Sequence, residues 1–195
     1  MVIIVERNNH YLVCSIICHG ECEVVFISFL RTLTHLSIDI LARNKGKSSI
    51  QITSLRNFLS ANCYSSPRRY QNVCNRGIIN FKKNEMLNFK AFSIMDLDEK
   101  ELNNNDLIES YKSKELIKGL YFYNYFIPLF NDKNFDEVLK KRKISFIGYK
   151  RKVEVYERLF TQENFKNLDE LIRFFKLYND NNICVLLEYL KEYMK

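Results

Sequence analysis

The stretch YLVCSIICHGECEVVF, residues 11–26, decides how this chain is read. Tyr11, Leu12, Val13, Cys14, Ile16, Ile17 and Cys18 form a near-continuous apolar run, which predicts a strand buried on both faces of a mostly parallel sheet. The run stops at His19-Gly20-Glu21. A histidine at the carboxyl end of a buried strand lies on the sheet edge where α/β folds place ligands. A glycine after it lets the backbone come close to a substrate.

Upstream, Met1 to Val5 reads as a short strand ahead of a polar turn. Downstream, Phe29, Leu30, Leu33, Leu36 and Ile40 recur at helical spacing as far as the stop at Asn44-Lys45-Gly46. Thr53 to Ala61 is a short amphipathic helix and Ser65-Ser66-Pro67 its turn. The segment RRYQNVCNRG, residues 68–77, follows and carries Cys74. IINFKKNEMLNFKAFSIMDLD then reads as two strands around a Lys-Lys-Asn turn, the second from Leu87 to Met95.

Asp96 to Asp106 is an acidic, asparagine-rich loop and the best boundary in the chain. Asp106 can cap a helix running to Gly119. The aromatic run YFYNYFIPLF, 121–130, predicts buried surface. Phe135, Val138 and Leu139 mark a short helix, and ISFIGYK with VEVYE reads as a pair of strands. Asn167 opens one helix and Ile183 to Met194 forms another, which together make a helical hairpin.

Composition narrows the function classes. With 195 residues, 47% of them hydrophobic, the chain can bury a substantial core. Five glycines and two prolines argue for helices joined by polar loops rather than a turn-rich β-sandwich. No apolar run is long enough to span a membrane and no leader pattern begins the sequence, so a cytoplasmic, soluble protein without a membrane partner is expected. Six cysteines in such a chain read as reduced thiols. Cys14, Cys18 and Cys22 beside His19 raise the question of zinc, but the spacing is not a zinc pattern, so neither a metal nor another cofactor is expected. The net charge of +7 gathers at Lys82-Lys83, at 140–143 and at 150–152, with Phe146 and Tyr149 between the last two. A solvated basic face is the preferred reading, with nucleic acid an alternative partner.

The spacing of Val13-Cys14, four residues, then His19-Gly20-Glu21 resembles the strand that carries the catalytic histidine in caspases. Ile52, Leu55, Phe58, Cys63 and Ser65 look like the helix and loop before the nucleophile strand of that family. Cys74 follows His19 by 55 positions, close to the family interval of about 50. The sequence departs from the pattern in three ways. Asn72 stands at the usual glutamine position, Val73 replaces alanine, and no arginine occurs between Arg76 and Arg142 to hold a substrate aspartate.

The resemblance implies an α/β fold with a mixed, largely parallel sheet flanked by helices and the His19 and Cys74 strands side by side or one strand apart; the C-terminal helical hairpin has no counterpart in that pattern, so either the sheet is modified there or the hairpin is an addition. The resemblance divides the chain into a caspase-like domain at 1–159, with a large-subunit-like part at 1–95 and a small-subunit-like part at 96–159, and the hairpin at 160–195. For function it implies Cys74 as nucleophile and His19 as its acid–base partner. The N–H groups of Gly20 and Cys74 would form the oxyanion hole, with Asn72 in the substrate pocket.

Three readings follow. One is a divergent, weakly active or non-catalytic caspase relative that binds a protein or peptide partner, with homo- or hetero-dimerisation in view. The second is an active cysteine endopeptidase. The third is an unrelated basic α/β protein that binds nucleic acid.

Overall fold

A computed structural model describes residues 11–74, 76–97 and 105–194. The expected strand at Met1–Val5 and most of the acidic loop lie outside these residues. The second part of the long apolar run forms the expected buried strand, while Tyr11 is exposed and lies outside it. Strand β1, Cys14–Cys18, is buried at every position. It pairs in parallel with β2, Ile38–Leu41, on one side and with β5, Lys90–Asp96, on the other. β6, Phe126–Asn131, pairs in parallel with β5 and completes the order β2-β1-β5-β6. The main sheet is therefore wholly parallel rather than mixed. The antiparallel component is a separate two-strand ribbon, β3 (Phe81–Lys82) with β4 (Glu85–Met86), around the Lys-Lys-Asn turn.

Alternation along the strands sorts the core into two layers. Cys14, Ile16 and Cys18 face one side with Ile38, Phe92, Ile94 and Leu129. Against them pack α1 (Glu21–Thr34), α5 (Phe135–Lys141), α6 (Lys152–Leu159), α7 (Leu168–Phe175) and α8 (Cys184–Tyr193). Ile17, Leu41, Ala91, Met95 and Phe126 face the other side, with α2 (Ile52–Leu59), α3 (Pro67–Val73) and α4 (Asn105–Lys112). Two serines also point to that face, and each is met by a helix tyrosine. Ser15 hydrogen-bonds Tyr70 of α3, and Ser93 bonds the Tyr111 hydroxyl of α4 at 2.8 Å. Tyr70 also donates to Asp39 Oδ2 at 2.7 Å. A buried hydroxyl needs such a partner, so these pairs fix where the two helices land.

Three expectations are corrected. RRYQNVC is not a strand beside β1. Ser66 accepts the Arg69 N–H and Pro67 takes the first helical position, so the segment starts the helix α3. The reach from Phe29 to Ile40 is not one helix, because α1 ends at Thr34 and β2 follows. The expected strand pair of ISFIGYK and VEVYE does not form, since 144–150 carries no strand and VEVYE lies in α6, where Val153 and Tyr156 are buried at helical spacing.

The helix pair α7 and α8 shares its core with β1 and α1. Its connection closes the outer edge of β6. Asn182 accepts the Phe130 N–H at 2.7 Å, donates its own N–H to the Phe130 carbonyl at 3.2 Å, and donates Nδ2–H to the Pro128 carbonyl at 3.1 Å. Arg142, read from the sequence as surface charge, is buried behind this turn with Asp180.

Candidate functional site

The chain leaves β1 for β2 on one side of the sheet and later builds β5 and β6 on the other. The crevice beyond the carboxyl ends of β1 and β5 is therefore a topological switch point, where open α/β sheets bind ligands. His19 follows β1 and Asp96 closes β5, and His19 Nδ1 lies 3.8 Å from Asp96 Oδ2. They line a cleft of about 320 Å³ together with Glu23 at the start of α1, Asp136 at the start of α5, and Lys152 and Tyr156 of α6.

Each side chain is held by its neighbours. Asp96 Oδ1 accepts Asn131 Nδ2–H at 2.9 Å and the Phe135 N–H at 3.1 Å, and its Oδ2 lies toward His19. Asp136 Oδ1 accepts the Tyr156 hydroxyl at 2.8 Å, and its Oδ2 pairs with Lys152 Nζ. That pairing holds the Lys152 ammonium above its ordinary range. Glu23 is almost fully buried and accepts the Gly20 N–H at 2.8 Å as part of the α1 cap. Burial pushes its carboxyl up, backbone hydrogen bonds oppose this, and the nearby Asp136 charge adds to it.

Gly46 fixes one wall of the cleft. Its φ is +92°, and a Cβ there would meet the Glu21 Cα at 2.8 Å, directly on the first residue of α1. Gly46→Ala is expected to lower stability by about 1–3 kcal/mol, because a left-handed conformation and a backbone clash must both be accommodated. Urea denaturation checks this, and an unchanged midpoint would contradict it.

The residues singled out from the sequence do not come together. His19 sits in the cleft. Cys74 caps the end of α3 beside Asp39, its thiol directed to the Gly77 carbonyl at 4.0 Å. Asp39 is in register with Ser15, four residues before His19, a distance of roughly 13 Å at about 3.3 Å per residue of strand. The two proposed oxyanion donors are also engaged, Gly20 N–H with Glu23 and Cys74 N–H with the Tyr70 carbonyl. Asn72 is exposed on α3.

Burial and the Asp39 charge push the Cys74 thiol up to about 11, opposite to what a thiolate nucleophile needs. Alkylation of Cys74 by iodoacetamide should therefore be slow at pH 7.5, rise toward pH 11, and be unchanged in His19→Ala. Rapid labelling at neutral pH that is lost in His19→Ala would restore the paired reading.

The sequence reading missed Asp96, Asp136, Lys152, Tyr156 and Glu23 as site residues. Asp96 did carry a signal, since it ends the buried run Phe92 to Met95 as His19 ends that of β1. Asp136 and Lys152 carried none, because only the packing of α5 against α6 unites them.

The arrangement can hold a cation at its carboxylates and an anionic group at Lys152. Among the described residues, no three His, Cys, Asp or Glu side chains converge as a ready-made metal cage. This speaks against zinc-type coordination. A magnesium-like ion, by contrast, keeps its waters and takes one or two carboxylates plus substrate phosphate. No helix among the described residues is long and apolar enough to cross a membrane. Compared with protein-family models, with curated proteins and with solved structures, the chain matches none.

Proposed function

We propose that the cleft at the switch point binds a divalent cation together with a phosphate ester and promotes hydrolysis of that ester. The observation that carries this is the meeting of Asp96 with His19 across the ends of β1 and β5, with the Asp136–Lys152 pair in the same cleft. Asp96 and Asp136 are the carboxylates that would hold the ion. Bound there, such an ion would lower the pKa of a water and offset the charge that gathers on the phosphoryl oxygens. Lys152 would hold a phosphoryl oxygen. The water oxygen attacks phosphorus, the P–O bond to the leaving alcohol breaks, and the water proton passes through His19 to solvent or to the leaving oxygen. Glu23 holds the first turn of α1, and with it Gly20 next to His19, in place.

Calorimetric titration with Mg²⁺ and Mn²⁺, and p-nitrophenol release from bis(p-nitrophenyl) phosphate, test this directly. Saturable ion binding and ion-dependent turnover are expected. If neither occurs, the proposal fails. The caspase-like reading, active or acting through a protein partner, is the competitor, and it rests on the order and interval of His19 and Cys74 in the sequence. Peptide cleavage lost in Cys74→Ala and kept in Asp96→Asn would put it first.

A further inference from the structure

The cleft has an acidic floor, yet exposed cations stand on both of its sides. On one side Lys45 and Lys47 belong to the turn that Gly46 seats against the start of α1, and Ser49 of the same segment lines the cleft. The turn is tied to the site again by Ile50 N–H, which donates to the His19 carbonyl at 2.8 Å. On the other side Lys133 precedes the cleft residue Asn134, and Lys150 and Arg151 precede Lys152. Two residues of chain reach only about 7 Å, so Lys150 and Arg151 stand on the cleft rim.

The segment before them is shaped by packing. Phe146 lies against Tyr156 at 6.2 Å with Lys140 over its outer face, and Tyr149 is covered by Arg158 at 5.1 Å. With both aromatics engaged, the segment leaves Ile147 90% exposed at its tip, next to Gly148. The aromatics are thus used within the fold, while Lys150 stands exposed beside them and Arg151, also exposed, pairs with Glu154 at 3.3 Å.

We infer that these two basic banks recruit a nucleic-acid strand, whose phosphates span from Lys45 and Lys47 to Lys133, Lys150 and Arg151 and set one phosphodiester over the acidic floor. This rests on the proposed phosphate-ester chemistry and names its substrate class. A small phosphate ester would need only the floor and Lys152. Cations on two opposed sides instead suit a ligand with phosphates spaced along its length, and affinity then comes chiefly from displaced counterions. Of two polyanionic surfaces, a strand that crosses the cleft fits better than an anionic membrane, since a planar surface cannot touch both banks and the recessed floor together.

The test is binding of a fluorescein-labelled single-stranded oligonucleotide in EDTA, read by anisotropy over a salt series. Binding without a divalent ion separates this inference from the chemistry at the floor. Lys45→Glu/Lys47→Glu and Lys150→Glu/Arg151→Glu should each weaken binding at least tenfold and make the log–log salt slope shallower by about one to two. All four sites are exposed, so thermal midpoints should stay within a few degrees of the parent. Parent-like affinity in both bank variants, an effect confined to one bank, or retention on phosphatidylserine vesicles without oligonucleotide binding would each overturn the inference.

Discussion

Asp96→Asn should lower divalent-dependent phosphodiester hydrolysis by at least about 100-fold, equivalent to roughly 2.7 kcal/mol of lost transition-state stabilisation. The substitution is isosteric. The amide oxygen can still accept the Asn131 and Phe135 N–H groups that hold Asp96 Oδ1, so the ends of β5 and β6 keep their connection. What disappears is the negative charge opposite His19, the charge a bound ion would need. The loss should appear in kcat and in Mn²⁺ affinity together, with the far-ultraviolet spectrum unchanged. Cys74→Ala, by contrast, should retain turnover, because Cys74 lies beside Asp39, away from the cleft. Equal activity in Asp96→Asn and the parent would remove the switch-point cleft as the reaction site.

Arg142→Ala should be the most destabilising single change on this chain, at about 3–5 kcal/mol. Its guanidinium is fully enclosed, and it donates to the carbonyls of Val138, Phe174 and Phe175 at 2.6–2.9 Å and to both oxygens of Asp180 at 3.0 and 2.9 Å. Five donors meet five acceptors, which accounts for the whole hydrogen-bonding capacity of an arginine. Removing it leaves the Asp180 carboxylate with only Asn181 and Lys141 as partners and takes this donor from three carbonyls. Arg142→Lys keeps the charge but loses the planar fork, so it should recover only part of the loss.

Burial pushes the Asp180 carboxyl up, but hydrogen bonds from Arg142 and Asn181 and the nearby Arg142 and Lys141 charges outweigh it and hold the group below its ordinary value. A carboxyl held low in the folded state adds stability that is complete above its unfolded pKa of about 3.9 and fades as pH falls through the folded value. The part of the parent's advantage over Arg142→Ala that comes from Asp180 should therefore begin to shrink below about pH 4. Thermal denaturation at pH 7 should show a midpoint drop of roughly 6–20 °C. A drop under two degrees would show that this network contributes little.

How much of this was legible in the sequence follows from what each pattern encodes. β1 could be read because a strand buried on both faces in a parallel sheet has no polar alternation to hide it. The helix pair α7 and α8 could be read because Asn167 caps the first helix and its apolar residues keep helical spacing. β2 could not. Leu36 and Ile40 are four apart and extend the spacing of α1, although His35 ends that helix with a left-handed φ of 56°. RRYQNVC fits a strand by the family interval, but Ser66-Pro67 is a local helix start that the interval does not register. The cleft was half visible. His19 could be found from the end of one strand, whereas Asp96, Asp136 and Lys152 meet it only through strand order and helix packing.

The closure of β6 by Asn182 also constrains how the protein is made. The Tyr189 hydroxyl donates to the Val13 carbonyl at 3.0 Å across 176 positions, and Asn182 supplies the partner that the outer edge of β6 would otherwise lack. At a synthesis rate of about 5–20 residues per second, β1 waits on the order of ten seconds or more for these partners to emerge from the ribosome. In that interval the β1 strand lacks its Tyr189 partner, and once β6 has emerged its outer edge stays unprotected until Asn182 follows. Maturation is thus delayed until the distal helices arrive. A chain that stops before residue 182 should accumulate as insoluble material even though every strand of the sheet is present.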